Sequence, residues 1–338
     1  MNKAQRVFIF VILQTLFLFH CENQTTETYA PTSPEVTTAK VSRITTTSAQ
    51  CGGWVHCDGG EPVTSRGICW GESRTPTLND NITVDGSGLG DFESSLTGLK
   101  ANTKYYVRAY ATNIAGTGYG IIRSFIREVG TVRDVDGNIY QTVKIGNKWW
   151  MAENLKTRHY ADGTPLENGT GKGSDNDDFS KKYYFVYMNN ESTVESLGLY
   201  YTWAAATNDA PEKDIYDLQG ICPNGWRLPL MGEWSSLETY IGGEDSSGIR
   251  LREWGYSHWK YYADFCEGLD EFGFKAIGAG IADYNGFGYY DRTEKACFWS
   301  LASKEEFGNY YGMEYNHQDA YSGWYKKNHG LSVRCVKE

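Results

Sequence analysis

The chain has 338 residues, 40% hydrophobic and 22% charged, enough for two domains of ordinary size with separate cores. Its formal net charge is −10. An acidic surface with no basic tract repels phosphate backbones, which sets nucleic acid aside as a partner.

The N-terminus reads as an export signal. Lys3 and Arg6 supply a short positive region, and residues 7–19 are almost entirely apolar but too few for a comfortable membrane span. The apolar run stops at Cys21, and Glu22-Asn-Gln-Thr-Thr-Glu-Thr follows. Residues 1–20 resemble a bacterial lipoprotein signal, with Leu18 three positions before Cys21. That resemblance implies lipid attachment at Cys21 and a place in the cell envelope, as a surface-exposed outer-membrane lipoprotein. Residues 21–38 are rich in Thr, Pro, Glu and Ser, a composition that builds no core and reads as a disordered tether.

Residues 39–127 alternate short β-prone runs with Gly and Asp-Gly turns. The runs are Gly53-Trp-Val-His, Arg66-Gly-Ile-Cys-Trp, Phe92-Glu-Ser-Ser-Leu, Lys104-Tyr-Tyr-Val-Arg-Ala-Tyr-Ala-Thr and Arg123-Ser-Phe-Ile. This spacing predicts an all-β sandwich of about seven strands. Leu99 through Asn113 resembles the strand-F region of a fibronectin type III module, with Tyr105 in the place of its corner tyrosine. The turn before it carries Ala101-Asn102 where that family often has Pro-Gly. Such modules act as spacers or weak adhesion units, and no exposed recognition motif argues for more than a spacer.

The second domain is expected over residues 128–338. It opens on a meander in which Asp136-Gly137 and Gly146-Asn147 are turn dipeptides between alternating runs. Asp134-x-Asp136-x-Asn138 has calcium-like spacing, but the twelve-residue loop with its distal Glu is absent, so a hairpin turn explains it better. The acidic loop Gly173-Ser-Asp175-Asn-Asp177-Asp178 is read as solvated rather than metal-binding. A short helix is expected over residues 200–207. A longer one is expected from Pro229 to Ile241, with Leu230, Trp234, Leu237 and Ile241 on one core-facing stripe and Gly242-Gly243 as the stop.

The chain has eight cysteines, which fits an oxidising compartment. Connectivity is not legible from sequence. Cys222–Cys335 and Cys266–Cys297 are the pairs expected for the late set. Cys51 and Cys57 share one strand and cannot reach each other. One of them is expected to pair with Cys69, leaving a free thiol. Without a Cys-x-x-Cys, zinc and redox readings have little support.

Several ordered motifs carry a second resemblance. They are Asn138-Ile-Tyr-Gln-Thr-Val-Lys-Ile-Gly, Trp149-Trp-Met-Ala-Glu-Asn-Leu and Gly220-Ile-Cys-Pro-Asn-Gly-Trp-Arg-Leu-Pro with Glu233-Trp. Gly273-Phe-Lys-Ala, Phe298-Trp-Ser300 and Gly330-Leu-Ser-Val-Arg-Cys-Val complete the set. Together they resemble the Fibrobacter succinogenes major paralogous domain over residues 131–338. The resemblance implies an α+β domain of C-type-lectin-like or sulfatase-modifying-factor-like fold on a secreted or surface protein of Bacteroidetes-type bacteria. It implies no known reaction.

Catalytic signatures are missing: there is no Gly-x-Ser-x-Gly, no His-Glu-x-x-His and no phosphate-cradling loop. His159, His258, His317 and His329 show no metal spacing. No catalytic residue, metal or cofactor is expected, and the chain is read as a non-enzyme. Better material for a ligand site lies at residues 281–330, where thirteen aromatics stand in fifty positions against 15% overall, interleaved with Asn, Asp, Ser and Gly. Tyr and Trp on loops give contact area at low entropic cost, and sugar rings stack on their faces. Tyr284, Tyr289, Tyr290, Tyr311, Tyr315, Tyr321, Trp324 and Tyr325 are the candidates, although strand alternation must turn about half of such residues inward. The partner expected is an extracellular glycan or protein. The alternatives are a structural or adhesin component of the envelope and, last, an enzyme of the sulfatase-modifying-factor-like group.

Overall fold

The computed structural model describes residues 30–338 except 45–46, 173–177, 210–217 and 264–265. Cys21 with its signal, and the acidic loop at Asp175 and Asp177, lie outside the described residues. The structure is mostly β. Its first part contains β1 (Glu35–Thr38), β2 (Ser48–Cys57), β3 (Ser65–Gly71), β4 (Asn81–Ile82), β5 (Gly90–Thr97), β6 (Tyr105–Asn113), β7 (Gly116–Tyr119) and β8 (Arg123–Phe125). A three-stranded sheet, β1-β2-β5, faces a five-stranded one, β4-β3-β6-β7 with β8 also on β6. Alternation along β6 turns Tyr105, Val107, Ala109 and Ala111 into a common core with Val36, Val55, Ile68 and Leu96.

All five expected strand runs of the sandwich are present. The strand content begins inside the segment expected as a tether over residues 21–38. Residues 35–38 form β1 because Val36 and Thr38 alternate inward, and Thr32 is already fastened through its amide to the Gly59 carbonyl at 2.9 Å. The Tyr105 hydroxyl accepts the Lys100 amide at 3.1 Å and ties the turn to its own strand.

The second part begins with β9 (Val129–Arg133), β10 (Ile139–Ile145) and β11 (Lys148–Met151), the expected meander, with φ of 88° at Gly137 and 67° at Gly146. Then come β12 (Glu167–Asn168), β13 (Tyr183–Phe185), α1 (Val194–Leu197), β14 (Tyr200–Tyr201), α2 (Trp203–Thr207), α3 (Met231–Ile241) and α4 (Ser247–Leu251). The chain closes with β15 (Ile281–Ala282), β16 (Tyr289–Tyr290), β17 (Lys295–Lys304), β18 (Phe307–Glu314), β19 (Ala320–Lys326) and β20 (Val336–Lys337). The last strand returns to the first sheet, in the order β20-β11-β10-β9, while β17-β18-β19 form a separate antiparallel sheet with β19 at its edge.

Both helices start later than the pattern suggests. Tyr200 and Tyr201 pair with β13, and α2 begins only after Thr202, whose hydroxyl caps the Ala205 amide at 3.2 Å. Helix α3 begins at Met231 because the Pro229 carbonyl is already taken by the Leu301 amide at 2.8 Å. Glu233 then receives the Leu230 amide at 2.9 Å. Trp234, Leu237 and Ile241 are buried as expected, and Trp234 stacks on Tyr311 with ring centroids 4.4 Å apart.

The Cys222 segment is a closure device. Gly225, at φ 75°, completes a turn in which the Trp226 amide reaches the Pro223 carbonyl. Arg227 then bridges to Val336 through both backbone bonds, at 3.0 and 2.8 Å. Beside this bridge Cys222 and Cys335 are disulfide-bonded, 113 residues apart. The other expected pair is not formed. Cys266 and Cys297 are both free and buried: Cys297 sits in the main core on β17, while Cys266 lies on the loop whose carbonyl is held by buried Arg252. Cys51 and Cys69 are free as well, which corrects the pairing expected for Cys69. Burial raises all four thiols, Cys51 to about 11, so none is a thiolate at neutral pH.

Candidate ligand-binding site

The eight candidate aromatics separate by strand parity and packing. Tyr311 is 1% exposed, sandwiched against Trp234 and bonded through its hydroxyl to Glu238 at 2.8 Å. It is a core residue, which corrects its assignment as a ligand contact: its parity on β18 turns it toward α3. Tyr289 packs between Tyr187 and Tyr200, and its hydroxyl donates to the Val186 carbonyl. Tyr321 donates to Glu314 at 2.8 Å, and Tyr315 packs against the second core with the Lys260 ammonium 4.9 Å from its ring. Tyr290 is half exposed, with its hydroxyl 3.3 Å from Asp283.

The remaining three meet. Tyr284, Trp324 and Tyr325 line one open cleft of about 640 Å³ together with Phe307, Lys326, Asn328 and His329. The cleft runs along edge strand β19 and is faced by the segment that follows β15. Alternation puts Trp324 and Lys326 on one side of β19, and register places Phe307 directly opposite Lys326 and Lys304 directly opposite Phe307. Tyr325 has the other parity and leans on Tyr310 at 6.2 Å.

His329 forms the back wall. Its ring meets Tyr325 at 5.1 Å and Tyr284 at 5.7 Å, edge to face in both cases. Its Nε2 lies 3.4 Å from the Asp283 carboxylate and its Nδ1 2.9 Å from the Asn328 side-chain oxygen. Burial depresses its pKa and outweighs Asp283, which acts in the opposite direction, while Lys326 adds to the depression. The imidazole is therefore neutral at pH 7, so only one of its nitrogens carries a proton to donate to these two oxygens. Asp283 is itself committed, to the Tyr284 amide at 2.7 Å and to the Tyr290 hydroxyl. The site can stack rings and offer polar contacts.

His329, Asn328, Phe307 and Lys326 were not singled out by the sequence reading. Asp283 stands 46 positions before His329, and only the pairing of Ala282 with Gly330 brings the two segments together. A composition count finds the aromatic-rich region but not this register.

The calcium-like cluster is fully occupied by the protein. Asp134 receives the Asn138 amide at 2.9 Å, the Asn138 side-chain amide at 2.8 Å and the Tyr140 hydroxyl at 2.5 Å. Asp136 receives Thr157, Arg158 and His159. Among the described residues no group of three or more His, Cys, Asp or Glu is placed to hold a metal ion.

No curated protein matches the chain. Solved structures give low-scoring likenesses. One is the sensor domain of the anti-sigma factor RsgI4 from Pseudobacteroides cellulosolvens, at 20% identity over 29% of this chain and 96% of that one, with a TM-score of 0.22. A myokine structure matches at 19% identity over 29% of this chain and 97% of that one, TM-score 0.21. The twitchin kinase region of C. elegans matches at 18% identity over 33% of this chain and 20% of that one, TM-score 0.21. Likenesses at these scores carry no structural conclusion. The Fibrobacter succinogenes major domain, by contrast, matches residues 143–337, more than half of the chain and nearly all of the part closed by the disulfide and the β11–β20 pair. The chain belongs to the Fibrobacter succinogenes major domain family.

Proposed function

We propose that this is a bacterial cell-surface lipoprotein, anchored through Cys21, whose second domain is C-type-lectin-like and binds an extracellular saccharide. The observation that carries the reading is the open cleft at the β19 edge, where Trp324, Tyr325 and Tyr284 present rings beside Asn328 and His329. Aromatic faces with neutral polar neighbours suit sugar C–H faces and hydroxyls. The sandwich is read as a fibronectin type III-like spacer, supported by the Tyr105 hydroxyl bond to the amide five residues upstream. A binding role is favoured over catalysis because the four free cysteines are buried, protonated thiols and none of them lines the cleft.

The test is glycan-array retention of the full exported chain alongside Trp324→Ala and Tyr325→Ala. Retention by the parent chain that is lost in both variants, with folding intact, supports the reading. Silence across broad panels rejects it. Anchoring is tested separately: metabolic fatty-acid labelling is expected in the parent and absent in Cys21→Ser, and an unlabelled parent rejects the lipid anchor.

A second reading, a structural or adhesin component of the envelope, is favoured by a different surface. Trp254 (71% exposed), Tyr261 and Tyr262 stand out on one irregular segment away from the strands. Large exposed aromatics of this kind mark contact surfaces. Co-purification of an envelope protein that is lost on Trp254→Ser would favour that reading.

A further inference from the structure

The cleft has a charge that the chain as a whole does not. The molecule carries −10, yet the side of the sheet that meets the cleft presents two ammonium groups in one cross-strand row, Lys304 and Lys326, with Phe307 between them. Neither lysine has a carboxylate within ion-pair distance among the described residues. Lys304 instead rests over the Trp324 ring at 4.4 Å, and Lys326 lines the cleft itself. Elsewhere in this domain Lys148, Lys156, Lys260 and Lys295 are each paired with Glu or Asp. The one carboxylate at the cleft's back wall, Asp283, already faces His329, the Tyr284 amide and the Tyr290 hydroxyl.

Stacking and charge are therefore arranged side by side. The Lys304 ammonium lies over the Trp324 ring, the ring lines the cleft, and a substituent projecting along the strand from a sugar stacked there meets Lys326 two positions on. We propose that the ligand of this cleft is an anionic saccharide, its carboxylate or sulfate held by Lys326 with Lys304 beside it, while a neighbouring ring stacks on Trp324. This rests on the saccharide reading above and adds the charge of the ligand. Lysine recognises either anion as a point charge, without the forked geometry an arginine would impose.

The test is calorimetric titration of the full chain with a panel of uronate-containing and sulfated oligosaccharides, each paired with its methyl-esterified or desulfated form. The parent chain is expected to bind at least one acidic form about tenfold or more tightly than its neutral twin, the loss expected for one charge-assisted contact. Lys326→Gln should erase that preference without lowering thermal stability, and Lys326→Arg should retain the preference. Neutral forms that bind as tightly as acidic ones, or a Lys326→Gln protein with its preference intact, would overturn the anionic ligand and leave the saccharide reading standing. Failure of every pair to bind would overturn both.

Discussion

Two polar regions of the second domain are built from similar residue types and do opposite things. Where the domain closes, the buried charged groups Arg334 and Glu233 are taken up by protein partners. The Arg334 guanidinium is fully buried and donates to the Asn154 side chain at 2.9 Å, the Met151 carbonyl at 3.3 Å, the Lys275 carbonyl at 2.8 Å and the Phe274 carbonyl. Burial lowers its pKa to about 9, so it stays charged at neutral pH. Nearby, Glu233 takes both guanidinium nitrogens of Arg227 at 2.7 Å and Lys148 at 3.0 Å. At the β19 edge, Lys304 and the Trp324 ring are exposed and Lys326 is partly so, and among the described residues neither lysine has a carboxylate within ion-pair distance. The difference teaches that the Arg227-Leu-Pro and Ser332-Val-Arg-Cys segments secure the fold, while the surface proposed for recognition lies in the stretch that those segments enclose.

If closure belongs to the first region, its removal must cost stability and leave the cleft's chemistry alone. The largest effect is expected from Cys222→Ala with Cys335→Ala. A loop of about this length stabilises by about 4–5 kcal/mol in the chain-entropy account, read as a lower urea midpoint. Next comes Arg334→Met, which removes the guanidinium donor from four oxygens, three of them in buried contacts. We expect a loss of about 3 kcal/mol by the same measurement, and an unchanged midpoint would break the assignment of Arg334 to closure. Tyr311→Phe removes the bond to buried Glu238 while keeping the stack on Trp234; about 1 kcal/mol should be lost, with saccharide affinity unaltered. An affinity loss without a stability loss would return Tyr311 to the ligand surface.

The smallest effect is a pH dependence at the cleft. The His329 pKa is depressed in the folded chain, so the unfolded chain binds more protons between the two values. The stability it contributes is fully present above roughly 6.5, the ordinary histidine value, and is lost as pH falls through the lower folded value. His329→Gln should flatten this part of the stability profile, and an unchanged slope between pH 7 and 5 would contradict a buried neutral imidazole.

Much of the closure was legible in the sequence because it is local or periodic. The turn dipeptides Asp136-Gly137 and Gly146-Asn147 need positive φ at their glycines, and the Trp234, Leu237, Ile241 stripe follows helical period. Of the two pairs expected for the late cysteines, Cys222–Cys335 is formed and Cys266–Cys297 is not, because spacing alone does not fix connectivity. What was not legible depends on long-range register. Register puts Tyr311 and Trp324 on the same face of the β18–β19 pair, yet Trp234 covers the first while the second stays exposed, and nothing in Asn309-Tyr-Tyr or Gly323-Trp-Tyr states which of them α3 covers. Cys266 and Cys297 look like a pair only while their distance in space is unknown. Lys326 and His329 are ordinary residues in sequence and become notable through Phe307, Asp283 and Tyr284, which reach them from other strands and turns.

The most direct measurement follows the tryptophan indole signals in 1H–15N spectra of the full chain, with Trp324 assigned through Trp324→Phe. The chain is titrated with the tightest-binding oligosaccharide of the paired panel. The account predicts that the Trp324 indole shifts with saturation while the indoles of buried Trp150, Trp234 and Trp299 stay in place. Saturable binding that leaves Trp324 unmoved, or that moves Trp254 instead, would contradict it.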